Sequence, residues 1–93
     1  MVDVVRRVLV ASTGDDEVPV LAVARRLRDD GLEVVYLGTG ATAEHVAHAA
    51  VAEDVAEVHL AGPAGGADQV EALLASLQAA VAHVTPVADR PRA

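Results

Sequence analysis

Cysteine is absent from this 93-residue chain, which excludes disulfides, a thiolate nucleophile and any zinc site built on thiolates. Lysine is absent as well, so all seven bases are arginine. With fourteen acids against them the formal net charge is -7. Nucleic acids and anionic membranes need a cationic surface, and that balance disfavours both as partners. Phenylalanine and tryptophan are missing, which leaves Tyr36 as the one aromatic residue. Few large anchors are therefore on hand for a tight protein interface. No hydrophobic run is long enough to span a bilayer, and the charged segment from Met1 to Arg7 does not read as a signal peptide. A soluble, cytoplasmic protein is the expectation.

What the chain does contain is small apolar residues. Hydrophobic residues make up 53% of it, mostly Ala and Val, which argues against disorder. A core of such side chains needs close backbone approach, as when helices lie flat on a sheet. The length suits one domain, with roughly 60–68% of the unfolded surface buried.

The pattern alternates between strand and helix. Val4 to Ala11 reads as a buried strand, followed by a loop at Ser12, Thr13 and Gly14. Asp15, Asp16 and Glu17 suit the first turn of a helix, where Pro19 is tolerated. Val20, Val23, Ala24 and Leu27 form its apolar stripe, and Gly31 caps its end. Leu32 to Leu37 is a second strand. Thr42 caps a second helix striped by Val46, Ala49 and Ala50. Val58 to Ala61 is a third strand, and the Gly62–Gly66 loop leads to Asp68, a candidate cap for a third helix carrying Val70, Leu73, Leu74 and Leu77. Val81 to Val87 is a fourth strand weakened by Pro86, with a frayed tail at 89–93. The expectation is thus a single α/β domain over 1–93. It has a flavodoxin-like (Rossmann-like) parallel sheet of about four strands, order 2-1-3-4, with helices on both faces.

In such a sheet ligands bind beyond the carboxyl ends of the strands, where strand order reverses. That places Ser12, Thr13, Gly14, Asp15 and Asp16 opposite Ala61, Gly62, Gly65 and Gly66, with the loop from Gly38 to Thr42 alongside. The three acids can be read as a cation or acid/base site; solvated acids at a helix start are the plainer reading and the preferred one. His45 and His48, three apart on one helix, have the spacing of a metal pair but no visible third ligand, and a solvated face is preferred. His59 lies inside the third strand, either as a satisfied core histidine or as a base turned towards the ligand end. His83 has no evident partner. The glycines can cradle a phosphate or a ring edge through backbone N–H groups, a weak signal taken alone. Ser12 and Thr13 assemble no Ser-His-Asp arrangement.

The segment Ala24-Arg25-Arg26-Leu27-Arg28-Asp29-Asp30-Gly31-Leu32-Glu33-Val34-Val35-Tyr36-Leu37-Gly38 resembles the first helix and second strand of the cobalamin-binding domain of methylmalonyl-CoA mutase and related enzymes. Thr42-Ala43-Glu44 and Ala49 to Val55 resemble its second helix, and the likeness runs over roughly residues 5 to 80. The resemblance implies three motifs, and each is altered. Where the family has D-x-H-x-x-G, with His as lower cobalt ligand and Gly giving clearance to the nucleotide tail, this chain has Gly14, Asp16 and Pro19. A carboxylate is a poor substitute for imidazole on cobalt, and Pro19 adds bulk and fixes φ. The family's S-x-L maps onto Ala61 and Pro63, without the hydroxyl. Its later Gly-Gly falls where Pro86 to Asp89 stand, and its fifth strand and last helix have no counterpart.

Three functions follow in order of preference. The first is a non-catalytic cobalamin-domain-like module that oligomerises or binds a partner subunit, with His-ligated cobalamin binding lost and no cofactor of its own. The second is a carrier holding cobalamin base-on for a mutase or methyltransferase. The third is a small enzyme reusing the pocket, with Asp16 or His59 as general base.

Overall fold

The computed structural model describes residues 6–77 and 83–87. The elements are β1 (Arg7–Ser12), α1 (Val18–Asp29), β2 (Glu33–Gly38), α2 (Ala43–Ala52), β3 (Glu57–Ala61), α3 (Gly66–Ser76) and β4 (His83–Pro86). All strand pairings are parallel, as the alternation of patterns predicts, and the order is β2-β1-β3-β4, as expected of a flavodoxin-like sheet. The chain steps one way from β1 to β2 and the other way thereafter. Crossovers of one hand must then put α1 on one face and α2 and α3 on the other.

The two faces have separate cores. Val8 and Val10 of β1 pack with Val20, Ala24 and Leu27 of α1. Leu9 and Ala11 point the other way, to Val46, Ala47 and Ala50 of α2 and Val70 and Leu74 of α3, as strand alternation demands. The largest fully buried side chains are Leu and Val, and Tyr36 is only half-buried. Alanines at 43, 47 and 50 line the buried side of α2, which lets helix and sheet approach closely.

Two helix starts differ from the sequence reading. Asp15, Asp16 and Glu17 precede α1 and do not occupy its first turn, which contains no acid. Pro19 has no N–H and must fall in a first turn, so the helix begins at Val18 and Asp16 Oδ1 accepts the Val18 N–H at 3.1 Å from outside. The third helix starts two residues before Asp68: Gly65, at φ 93°, occupies the cap position, and Asp68 lies in the first turn. Thr42 caps α2 as expected, accepting the His45 N–H at 3.0 Å. Gly31 ends α1 at φ 91°, its N–H on the Arg28 carbonyl at 2.9 Å and Leu32 N–H on that of Leu27 at 3.1 Å. This is the Schellman arrangement that favours glycine. Ser12 and Gly38, read as loop residues, are the last residues of their strands. Val4, Val5, Val81, Ala82 and the 89–93 tail lie outside the described residues.

Candidate functional site

The carboxyl end of the sheet brings together most of the residues expected there. Ser12, Gly14, Asp15 and Asp16 face Ala61 and Gly62 across a cleft of about 220 Å³, completed by Pro19 and Pro63. A second cleft of about 250 Å³ lies between the β3–α3 loop and the end of β4, bordered by Gly65, Asp68, Pro86 and Val87. Gly62 and Pro63 border both, so the start of the β3–α3 loop is a wall between them. Thr13, Gly38 and Gly66 line neither cleft.

That wall is held against β1. Thr13 N–H donates to the Ala61 carbonyl at 3.0 Å. Gly62 has φ 125°, and a β-carbon there would collide with Thr13 Oγ1 and come within 3.0 Å of the Gly14 nitrogen. Real β-carbons do not tolerate that approach, so only glycine lets the two loops touch. On the opposite side, a β-carbon at Gly14 would already stand 3.5 Å from the Gly62 Cα and 3.8 Å from Pro63 Cδ. The two loops approach closely at Gly62, and the cleft of about 220 Å³ opens beside this point.

Further hydrogen bonds tie in the neighbouring loop. Gly40 N–H reaches the Gly14 carbonyl at 2.8 Å and Ala41 N–H the Ser12 carbonyl at 3.0 Å. The Ser12 hydroxyl is buried and accepts the Gly14 N–H at 3.0 Å; its role is to shape the turn. On the outer side Tyr36 O–H donates to Glu17 Oε2 at 3.0 Å. Burial first, and then the Glu17 carboxylate that accepts its proton, push the Tyr36 phenol above its ordinary value, against a smaller opposing pull from Arg28.

His59 lies elsewhere. It is buried in mid-strand, paired in register with Val10 and Thr85, and its Nε2 meets Glu57 Oε2 at 3.1 Å. Glu57 in turn accepts from Arg6 through Oε1 at 3.1 Å. Neither cleft includes His59, so it and Asp16 are not brought together. The Arg6–Glu57–His59 chain escaped the sequence reading, although E-x-H inside a strand puts both side chains on one face and was there to be noticed. His45 and His48 are exposed on α2. Among the described residues no group of three or more His, Asp or Glu is placed to hold a metal ion, and no helix is long and apolar enough to cross a membrane.

The cobalamin fit can be judged from this geometry. Each cleft is smaller than the roughly 300–1,000 Å³ that holds a drug-sized ligand, and a corrin with its nucleotide tail is larger than such a ligand. At the position where the resemblance places the lower ligand, Asp16 instead turns a carboxylate oxygen back onto its own helix. The residues present do not fit the group. No protein-family model matches the chain, and no curated protein matches it.

Proposed function

We propose that this chain is a non-catalytic module, similar in frame to cobalamin-binding domains, which works by pairing with a second protein chain, either its own copy or a partner subunit. The observation that carries the reading is the contact of Gly62 with Thr13 and Gly14. It narrows the space between β1 and β3, where cobalamin-binding domains would seat a nucleotide tail, to a cleft of about 220 Å³. Ser12 and Asp16, the polar side chains best placed for chemistry, are engaged with local backbone N–H groups. His59, the other candidate base, faces Glu57, so a reused catalytic pocket lacks its second group.

Titration with hydroxocobalamin and with adenosylcobalamin, followed by visible absorption, tests this reading. The expected result is an unchanged spectrum and separate elution on gel filtration. A shifted spectrum with the corrin retained on the protein would replace the module by the carrier. If the shift matched nitrogen ligation from the protein, the reading of Asp16 would fall too.

A further inference from the structure

We infer that α1 is a self-complementary docking face on which a second copy of this chain sits antiparallel, about a two-fold axis near Leu21. The inference deepens the pairing reading above and rests on it. Its starting point is the distribution of charge. Arg25, Arg26 and Arg28 all lie exposed towards the end of α1, and none makes an ion pair with a described residue. The other two described arginines, Arg6 and Arg7, are both engaged with glutamates. The acids Asp15, Asp16 and Glu17 are exposed at the opposite end of the same helix.

Between these ends the helix exposes hydrophobic surface. Four large hydrophobic residues are exposed among those described, and two of them, Val18 at 51% and Leu21 at 42%, are here. Glu17, Leu21 and Arg25 are spaced four apart, so they form one ridge along the helix. At 1.5 Å per residue, Glu17 and Arg25 stand about 6 Å on either side of Leu21. A two-fold axis through Leu21 therefore sets Glu17 of each copy against Arg25 of the other, and Leu21 against its own symmetry mate. Asp29 and Asp30 fall beyond this acid–base match, past the start of the partner's α1. The ridge is acid at one end, base at the other and apolar in the middle, which is the pattern an isologous interface requires.

The rest of the described surface points to the same partner. The other two exposed hydrophobics, Val51 and Leu77, belong to the α2–α3 side, where the two helices carry acids and no arginine. Two copies meeting there would repel. A purely acidic protein would suit the arginines of α1 but would meet Asp15, Asp16 and Glu17 at the other end. One helix face is a small interface, of the weak, reversible class.

Sedimentation velocity of the full chain from micromolar to millimolar concentration, at low and high salt, tests this. The wild-type chain is expected to self-associate, less at high salt. Glu17→Arg and Arg25→Glu are each expected to weaken association by roughly tenfold or more, since each makes two like-charge contacts in place of two attractive ones. An equimolar mixture of the two variants is expected to restore pairing, because both contacts are again attractive, one as in the wild-type chain and one with its charges exchanged. Circular dichroism verifies folding; should either variant unfold, Leu21→Asp, an exposed change at the axis, must abolish association in its place. A monomeric wild-type chain at all concentrations overturns the inference, as does association that ignores these substitutions or variants that stay apart when mixed. Failure here is separable from failure of the module reading: corrin binding would sink that reading without touching the oligomeric state.

Discussion

The two ends of the sheet are built by different means. At the carboxyl end, loops meet backbone to backbone: Thr13 on Ala61, Gly40 on Gly14, Ala41 on Ser12, with glycine at the point of closest approach. A hydrogen bond between side chains there joins Tyr36 to Glu17. At the amino end, side-chain charge does the joining. Arg6 reaches Glu57, Glu57 reaches His59, and Arg7 holds both Glu33 at 3.1 Å and the Glu53 carbonyl at 2.8 Å. Parallel α/β sheets ordinarily keep their polar chemistry at the carboxyl end. Here that end is drawn together by backbone and glycine contacts around clefts of about 220 and 250 Å³, and the ionic network lies at the other. A ligand-binding end needs spare polar groups and ample open volume, whereas loops held backbone to backbone contribute stability. The contrast therefore ranks substitutions: geometry should dominate at one end and modest electrostatics at the other.

The largest effect is expected at Gly62. Gly62→Ala must displace Thr13 and hold a side chain at φ 125°; strain and displacement together should cost on the order of 3 kcal/mol. Chemical denaturation followed by circular dichroism measures it, and a loss under about 1 kcal/mol would show that the loop contact is slack. At the amino end, Glu57→Ala leaves His59 Nε2 without its partner in a buried site. A loss of about 1–2 kcal/mol is expected in the same assay. Arg6 is too exposed to matter as much, so Arg6→Ala should cost well under half of that. If Glu57→Ala exceeded Gly62→Ala, the ranking of the two ends would be reversed.

Much of this arrangement was legible in the residues. Apolar runs of β-branched residues alternating with 3.6-residue stripes were enough for the parallel sheet and the helix faces, and the flavodoxin-like fold class supplied the strand order. Gly31 and Thr42 announced the caps they form. The cleft was legible only as a set of loops, because a fold class places loops without saying whether they touch. The contact depends on the φ of Gly62 and on where Thr13 Oγ1 sits, and neither leaves a mark in a single sequence. The start of α3 was misplaced because Asp68 is the better cap by residue type, while Gly65 wins through a left-handed turn that only its backbone permits. The Arg6–Glu57–His59 chain spans two strands, and its first member depends on register.

A smaller change should move stability upward at the amino end. Asp54 is the one described non-glycine residue with positive φ, at 52°. It ends α2 as Gly31 ends α1: its N–H reaches the Val51 carbonyl at 3.1 Å, and Val55 N–H reaches that of Ala50 at 3.2 Å. An aspartate tolerates this left-handed position, but glycine adopts it without strain. Asp54→Gly should therefore stabilise the fold by about 0.5–1 kcal/mol, offset in part by the extra freedom of the unfolded chain. The reciprocal Gly31→Asp should lose a similar amount, read as opposite shifts in thermal midpoint. Equal shifts of one sign would mean that the two helix ends are not equivalent.

The smallest effect is spectroscopic and belongs to the carboxyl end. Tyr36 is the sole aromatic residue, so the near-ultraviolet absorbance change on phenol ionisation reports it alone. Burial and the Glu17 carboxylate raise its pKa above the ordinary 10.0. A raised pKa means that the folded chain holds the phenolic proton more tightly than the unfolded chain does. The stability linked to Tyr36 is then complete below pH 10.0 and fades as pH climbs through the folded value. Glu17→Gln removes the charge while keeping an acceptor for the O–H, so the midpoint should move back towards 10.0 without reaching it, burial being the larger cause. A midpoint in the wild-type chain at or below the ordinary value would mean that the Tyr36–Glu17 bond is not formed in solution. The carboxyl end would then be held by its backbone hydrogen bonds and the Gly62 contact without help from side chains of β2.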